Sequence, residues 1–139
     1  MFSLHPQLAQ DCFVIGQFSL SQLLLMNDCQ YPWFILVPQR DNVTEIYQLS
    51  AEDQAQLWRE SAALSQTLAR HFAADKMNVA VLGNVVPQLH MHHIVRYRHD
   101  PAWPAPVWGK LPPRPYSDKQ LQHLLGELSG PLGQNLNLG

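Results

Sequence analysis

The sequence Gln88-Leu89-His90-Met91-His92-His93-Ile94-Val95-Arg96 alternates polar and apolar side chains through its first five positions. Successive side chains of a β-strand point to opposite faces, so the pattern predicts a strand with Gln88, His90 and His92 on one face. The other face carries mainly apolar residues: Leu89, Met91, His93, Val95 and Tyr97. We expect this strand to run from Gln88 to about Arg98 and to present imidazoles to a ligand.

The segments before it predict the rest of a sheet and one long helix. Short apolar runs at 12–15, 23–26 and 34–37 are typical of an antiparallel meander, and a fourth strand is predicted at 77–82. Ser50 begins a capping box, with its side chain placed to accept from the backbone N–H of Asp53. No Pro or Gly interrupts the following residues to about Phe72, where leucines recur at helical intervals.

The chain of 139 residues suits one domain. We divide it into a core at about 12–98, an arm at 99–116, and a C-terminal helix with a loose tail at 117–139. The arm holds six prolines and two tryptophans within 101–115, which favours an ordered, irregular segment that packs on the rest of the protein. The terminal helix is predicted from a cap at Ser117 to about Leu128, where Gly130-Pro131 ends it.

Composition excludes several classes of function. A net charge of -2 leaves no basic excess for a nucleic-acid backbone, although a small anionic ligand needs only a few donors. No stretch approaches the roughly 18 apolar residues of a membrane span, and no secretory signal is visible, so we expect a cytoplasmic protein. Cys12 and Cys29 have neither metal spacing nor a disulfide framework, and we expect two buried thiols.

His90 and His92 are the candidate chemical groups. A neutral imidazole can attack phosphorus when one ring nitrogen is free and the other donates to a fixed acceptor. His92 would lie roughly 7 Å along the strand, within reach of a leaving group on the same phosphorus. Two alternatives stay open, solvent-facing histidines and a metal site, and the second lacks a carboxylate or cysteine partner. We expect His93 to be a hydrogen-bonded core or interface histidine.

Other polar residues have weaker patterns. Asn27 ends the second apolar run, where an amide could contact a sugar hydroxyl. Asn78 and Gly83-Asn84 precede the histidine segment, and Gly83 allows close approach of the backbone to a ligand. Taken singly, each of these amides is more often a turn residue. The remaining histidines have no partner pattern and are expected at the surface: His5, His71, His99 and His123.

Together, these residues resemble the signature of the histidine triad (HIT) superfamily, which is an Asn, a Gly-Gln and three alternating histidines. Asn78, Gly83-Asn84 and the segment 88–96 follow this order, and the resemblance covers about residues 12–98. It implies an α+β fold with a five-stranded antiparallel sheet, one long helix and a short C-terminal helix. It also implies a homodimer, with the two sheets joined into one of ten strands, and an activity that needs no cofactor or metal.

The resemblance further implies hydrolysis or transfer at the α-phosphate of a nucleoside phosphoramidate or dinucleoside polyphosphate, through a nucleotidyl-histidine. By position, His90 would be the nucleophile, and His92 would contact phosphate oxygens and the leaving group. Asn27 matches the ribose-contacting position. Two further amides match phosphate-side positions, Asn78 and Asn84, the latter in place of the usual Gln.

Gln88 departs from the family pattern, because it stands where the first triad histidine belongs. Glutamine keeps hydrogen-bonding capacity but cannot carry a proton near neutral pH. The nucleophile itself, His90, is intact, so the resemblance favours a working nucleotide hydrolase or transferase. The alternative is a nucleotide-binding module with weak or no catalysis.

Overall fold

A computed structural model describes residues 1–133, and the predicted loose tail beyond them lies outside the described residues. Five strands form an antiparallel sheet in the order β1-β2-β3-β5-β4. They are β1 Cys12–Gln17, β2 Ser21–Met26, β3 Trp33–Pro38, β4 Lys76–Ala80 and β5 Met91–Arg96. The helices within residues 1–133 are α1 Pro6–Asp11, α2 Ala51–His71 and α3 Asp118–Leu132, with a 3₁₀ turn at Ile46–Gln48. The predicted α+β fold is confirmed.

The sheet is covered on both faces. Leucines of α2 and α3 pack on one face, in a cluster that also contains Phe34, Met91 and Val95. The opposite face holds Ile35 and Ile94 in a second cluster, together with apolar residues of the region after β5. All six residues of the central strand β3 are buried. A strand covered on both faces is apolar throughout, which explains the uninterrupted run at 34–37.

The long helix α2 begins as predicted. The Ser50 hydroxyl accepts a hydrogen bond from the backbone N–H of Asp53 at 3.0 Å. Acidic residues lie in the first turn and basic residues in the last, which suits the helix dipole. Leu57, Leu64 and Leu68 are buried on the side that faces the sheet. Cap and apolar spacing together account for this helix.

The predicted bounds of the two histidine-side strands were wrong. β5 begins at Met91, because the backbone N–H of Leu89 donates to Val43 O and the carbonyl of Gln88 is bonded by the His90 ring, outside the strand ladder. β4 ends at Ala80, which pairs with His92 near the start of β5. Residues beyond Ala80 have little partner strand left, so the ladder stops there.

The two terminal helices also differ from the expectation. α3 continues through Gly130-Pro131 to Leu132. Leu132 packs in the core with Leu124 and Leu128, at i, i+4 and i+8, and this burial outweighs the one backbone hydrogen bond that Pro131 removes. The short helix α1 was not predicted. It begins with Pro6 at its first turn, after a cap from His5.

A buried ion pair anchors the arm where it leaves β5. Arg96 donates to Asp100 at 2.8 Å, and both side chains are almost wholly inaccessible. The same guanidinium donates to Asn78 Oδ1 at 2.7 Å and to the Ala105 carbonyl at 2.8 Å. Ala105 lies within the Pro/Trp-rich stretch, so one buried cation joins β4, β5 and the arm. The arm packs on the sheet face opposite α2.

The expectation of two buried thiols is right for one of the cysteines. Cys12 is buried as expected, whereas Cys29 is only partly buried, because it lies in the turn between β2 and β3; both thiols are free. No helix in the described part of the chain is long and apolar enough to cross a membrane.

Candidate active site

His90 presents one free ring nitrogen. Its Nδ1 lies 2.7 Å from the backbone carbonyl oxygen of Gln88. A carbonyl can only accept, so Nδ1 carries the proton and the lone pair is on Nε2. Burial lowers the pKa of His90, so the ring is neutral near pH 7. This is the state that a nucleophilic imidazole requires.

His92 has the opposite tautomer. The indole N–H of Trp33 donates to His92 Nδ1 at 3.0 Å. An indole nitrogen cannot accept, so the proton of neutral His92 is on Nε2, which lies 3.3 Å from the Leu82 carbonyl oxygen. Burial, and next the neighbouring His90, lower the pKa of His92 to about 3. His92 is therefore a neutral hydrogen-bond donor, not an acid that releases a proton.

The two rings are in contact, with centroids 4.9 Å apart and planes at 71°. They have complementary protonation, a free lone pair on His90 Nε2 and an N–H on His92 Nε2. Such a pair can attack an electrophilic centre and donate a hydrogen bond to an atom bound to it.

Two cavities flank this pair. A cavity of about 320 Å³ beside His90 is lined in part by Gly83, Asn84 and Glu45. A second cavity, of about 380 Å³, is lined in part by Asn27, Trp33 and Trp108. Both indole rings also contact His92, with centroids 5.8 and 5.0 Å from its ring. The first cavity is mostly polar in its lining and the second is largely aromatic and apolar.

Gly83 is packed too tightly for any side chain. A Cβ there would lie 2.8 Å from the Val86 carbonyl oxygen and 3.5 Å from Cε1 of His90. The backbone of residue 83 thus lies directly against the His90 ring. Gly83 was expected to let the backbone come close to a ligand. The backbone at Gly83 lines the cavity and also lies close to the His90 imidazole.

The predicted amides are brought together only in part. Asn84 lines the His90 cavity and Asn27 lines the aromatic one, where its Oδ1 accepts from the backbone N–H of Tyr116 at 2.8 Å. Asn78 faces Arg96, and its side-chain oxygen Oδ1 accepts a hydrogen bond from the guanidinium. A phosphate contact by Asn78 stays a prediction that this geometry does not favour.

Gln88 does not reach either histidine with its side chain. Its amide nitrogen donates to the Ser3 carbonyl at 2.9 Å, and its amide oxygen accepts from the backbone N–H of His5 at 2.8 Å. Gln88 lines the His90 cavity as well. Its predicted catalytic role stays a prediction.

His93 points to the helical face, as expected from its parity in the strand. Its Nε2 lies 2.7 Å from the Ser61 hydroxyl of α2, and burial lowers its pKa to about 4. The expectation of a hydrogen-bonded core histidine is confirmed. The expected surface position is right for His99 and His123, but His5 and His71 are half-buried, since each packs against a neighbouring segment.

Sequence reasoning missed the two tryptophans beside His92. Trp33 shares a sheet face with Ile35, which pairs with His92, so its indole reaches diagonally across the ladder. The alternation of side chains along β3 indicates that Trp33 and Ile35 share a face. It does not give the register between β3 and β5, which is what brings Trp33 beside His92. Trp108 comes from the irregular arm, and no periodic signal could have placed it.

The described residues contain no group of three or more His, Cys, Asp or Glu side chains that could hold a metal ion. His90 and His92 accordingly have no third ligand of these types beside them within residues 1–133.

The fold and the site together are a buried pair of imidazoles on a five-stranded antiparallel sheet. The family model for the HIT domain matches residues 7–99, and the chain belongs to the HIT family. Members of this family are nucleotide hydrolases and transferases that bind nucleotides. No curated protein sequence matches the chain.

Solved structures agree with this assignment. A histidine triad protein from Marinobacter aquaeolei VT8 is 52% identical, with 97% of this chain and 98% of that one covered and a TM-score of 0.94. A histidine triad protein from Bradyrhizobium japonicum is 42% identical, with 93% and 96% covered and a TM-score of 0.90. One from Sinorhizobium meliloti 1021 is 38% identical, with 94% and 96% covered and a TM-score of 0.90.

Proposed function

We propose that this protein hydrolyses or transfers the nucleoside monophosphate group of a nucleoside phosphoramidate or dinucleoside polyphosphate. The observation that carries the proposal is the state of His90, which is buried, neutral, hydrogen-bonded through Nδ1 and free at Nε2 beside a cavity. This combination makes an imidazole a nucleophile near neutral pH. His92 supplies a donor on the adjacent ring.

The chemistry proceeds in two displacements. His90 Nε2 attacks the α-phosphorus, so that an N–P bond forms and the bond to the leaving group breaks with its electron pair. The leaving atom takes its proton from water while His92 Nε2–H, released from the Leu82 carbonyl, donates a hydrogen bond to it. Water, or another acceptor in a transfer, then cleaves the nucleotidyl-histidine and regenerates neutral His90.

The nucleoside is assigned to the aromatic cavity. Trp33 and Trp108 offer apolar walls for a base, and Asn27 and Asp28 line the same cavity with polar atoms suited to a ribose. The α-phosphate would then lie at the imidazole pair, and the remaining group would extend past Gly83 and Asn84 in the His90 cavity. Asn84 and the backbone at Gly83 are the proposed phosphate-side contacts.

A second candidate is a nucleotide-binding module with weak or no turnover. It is favoured by Gln88, which we place at the position of the first triad histidine and whose amide is engaged by the N-terminal segment. No proton can pass through this residue near neutral pH. The same two cavities would then serve binding alone.

We further propose a cytoplasmic homodimer. β4 is an edge strand of the sheet, and the chain from β4 onward exposes Val79, Val81, Leu82 and Val85. An open apolar edge is a ready template for pairing with a second copy. Joining two such edges would produce a sheet of ten strands. Sedimentation of the purified protein tests this directly, and a monomer at micromolar concentration would refute it.

The direct test compares wild type with His90→Ala on a nucleoside phosphoramidate and on a dinucleoside polyphosphate. We expect turnover in wild type, a loss of at least about a thousandfold in His90→Ala, and no change in the exposed control His123→Ala. Alkaline quenching and mass spectrometry should detect one nucleotidyl group on His90, because the P–N bond survives base. Binding of AMP by calorimetry without turnover of either substrate would select the binding module. Neither turnover nor binding would refute both candidates.

A further inference from the structure

The Gln88 side chain makes two hydrogen bonds to the backbone of the N-terminal segment, which we define as residues 2–5. Its nitrogen donates to the carbonyl of Ser3, and its oxygen accepts from the N–H of His5. A primary amide has a donor and an acceptor side by side, as a peptide group does, so it can pair with an extended backbone as a neighbouring strand would. The two nitrogens of an imidazole diverge and cannot make this pair of contacts.

The N-terminal segment is also held by apolar contacts. Phe2 and Leu4 pack against the cluster that contains Val86 and Ile94. Ser3 and His5 alternate with them, and their backbone groups are the ones that Gln88 binds. The segment, Gln88 and residues 40–44 line most of an open cavity of about 670 Å³. Gln88 lines both this cavity and the one beside His90, so it stands at the boundary between them.

One residue thus connects the N-terminal segment to the nucleophile. The backbone carbonyl of Gln88 receives the Nδ1 proton of His90, while its side chain holds the segment. The segment continues into α1 through His5, whose Nδ1 accepts from the backbone N–H of Gln7 and caps that helix.

We propose that Gln88 is a positioning residue, not a degraded catalytic histidine, and that by fixing the N-terminal segment it holds in place the backbone carbonyl that orients His90. The segment is thereby a working part of the site, and the glutamine is required because only an amide makes both backbone bonds. The kinetic consequences of this proposal rest on the proposed function. The attachment of the segment by the two hydrogen bonds from Gln88, which we call pinning, does not depend on that function.

The charged and titratable groups around this connection are few. His92 lies beside His90 on β5, and Glu45 lines the same cavity. Arg40 and Asp41 line the other cavity together with the N-terminal segment; Arg40 is paired with Asp53, and Asp41 with the amino group of Met1.

The first measurement is hydrogen exchange at the His5 amide, which needs no substrate. Gln88→Met keeps the length of the side chain but loses both bonds, and Gln66→Met on the exposed face of α2 is the matched control. We expect roughly tenfold faster exchange at His5 in Gln88→Met, as the net strength of two partly exposed hydrogen bonds predicts, and no change in Gln66→Met. Unchanged exchange in Gln88→Met would refute the pinning.

The second measurement is the tautomer of His90, read from the nitrogen NMR shifts of its ring. In wild type we expect the Nδ1–H form, because Nδ1 donates to the Gln88 carbonyl. In Gln88→Met residue 88 is no longer held by the segment, so the Nε2–H form should become populated. A simple loss of stability would leave the tautomer of the folded protein unchanged, and an unchanged tautomer in Gln88→Met would overturn the link from the segment to the nucleophile.

Gln88→His separates the two views of this position. Pinning predicts that Gln88→His loses activity about as Gln88→Met does, and that deleting residues 2–5 adds little further loss in either variant. A rate above wild type in Gln88→His, or fully additive losses, would overturn the proposal. If wild type turns over no substrate, the proposed function fails, and hydrogen exchange still decides whether Gln88 pins the segment.

Discussion

The hydrogen bond from Trp33 to His92 can be tested by removing the indole N–H alone. Trp33→Phe keeps an aromatic ring at a position that is 6% exposed, so packing against Tyr31 and Trp108 is largely retained. His92 Nδ1 then loses its donor. Turning to the other tautomer gives no relief, because Nε2 would direct its lone pair at the Leu82 carbonyl oxygen 3.3 Å away.

The expected cost follows from burial and geometry. The bond is 3.0 Å long, joins two neutral groups, and His92 is only 3% exposed, so water cannot replace the lost donor. An acceptor left buried without a partner costs about 1–3 kcal/mol. The free energy of unfolding should fall by about that amount, and the neutral-donor state of His92 should be less strongly favoured.

A double-mutant cycle isolates this bond from the change in ring size. Unfolding free energies from denaturant titration are compared for wild type, Trp33→Phe, His92→Phe and the double variant. The ring contact persists in all four proteins, so the coupling energy reports the hydrogen bond, which we expect to be about 1–2 kcal/mol. A coupling energy below about 0.5 kcal/mol would refute the assignment of the His92 tautomer from Trp33.

Three further results are expected from burial and charge. Gly83→Ala puts a Cβ 2.8 Å from a backbone carbonyl oxygen, so the loop beside the nucleophile must move, and kcat/KM should fall at least about tenfold in steady-state assays. The lowered pKa values of His92 and His93 make the unfolded chain bind protons first, so stability should fall as pH drops below about 6.5, by about 1.4 kcal/mol per ring at pH 5.5. Asp100→Ala leaves the Arg96 charge buried and uncompensated, and denaturant titration should give a loss of about 3–5 kcal/mol.

Each of these has a matched control in the same chain. Gly126→Ala meets no atom within 4 Å, so it should leave activity unchanged; equal activity of the two alanine variants would refute the clash at residue 83. His93→Gln should reduce the loss of unfolding free energy between pH 6.5 and 5.5, and His123→Gln, which removes an exposed ring, is its control. Asp53→Ala breaks a more exposed pair with Arg40 and should cost about 1 kcal/mol or less. A similar cost for Asp100→Ala would contradict the buried-charge argument.

Sequence patterns that span only a few residues were sufficient to predict the long helix and the presence of the five strands. The Ser50 cap and the leucine spacing predicted α2 to within a residue, because both act over a few positions along one helix. Strand bounds were less accurate, since a strand ends where its partner ends and the partner is distant in sequence. The extension of α3 past Pro131 has the same origin, because Leu132 gains its burial from tertiary packing.

The sequence by itself determined the fold class, the family resemblance and the two imidazoles on one face, because alternation and motif order are properties of the chain. Only the tertiary structure decided what those imidazoles can do. The free Nε2 of His90 depends on the Gln88 carbonyl, which lies before β5 begins and accepts from Nδ1 instead of pairing with another strand. The tautomer of His92 depends on the indole of Trp33 in β3. The partner of Gln88 comes from more than eighty residues away. Contacts between distant segments are set by register and packing, which no local pattern encodes.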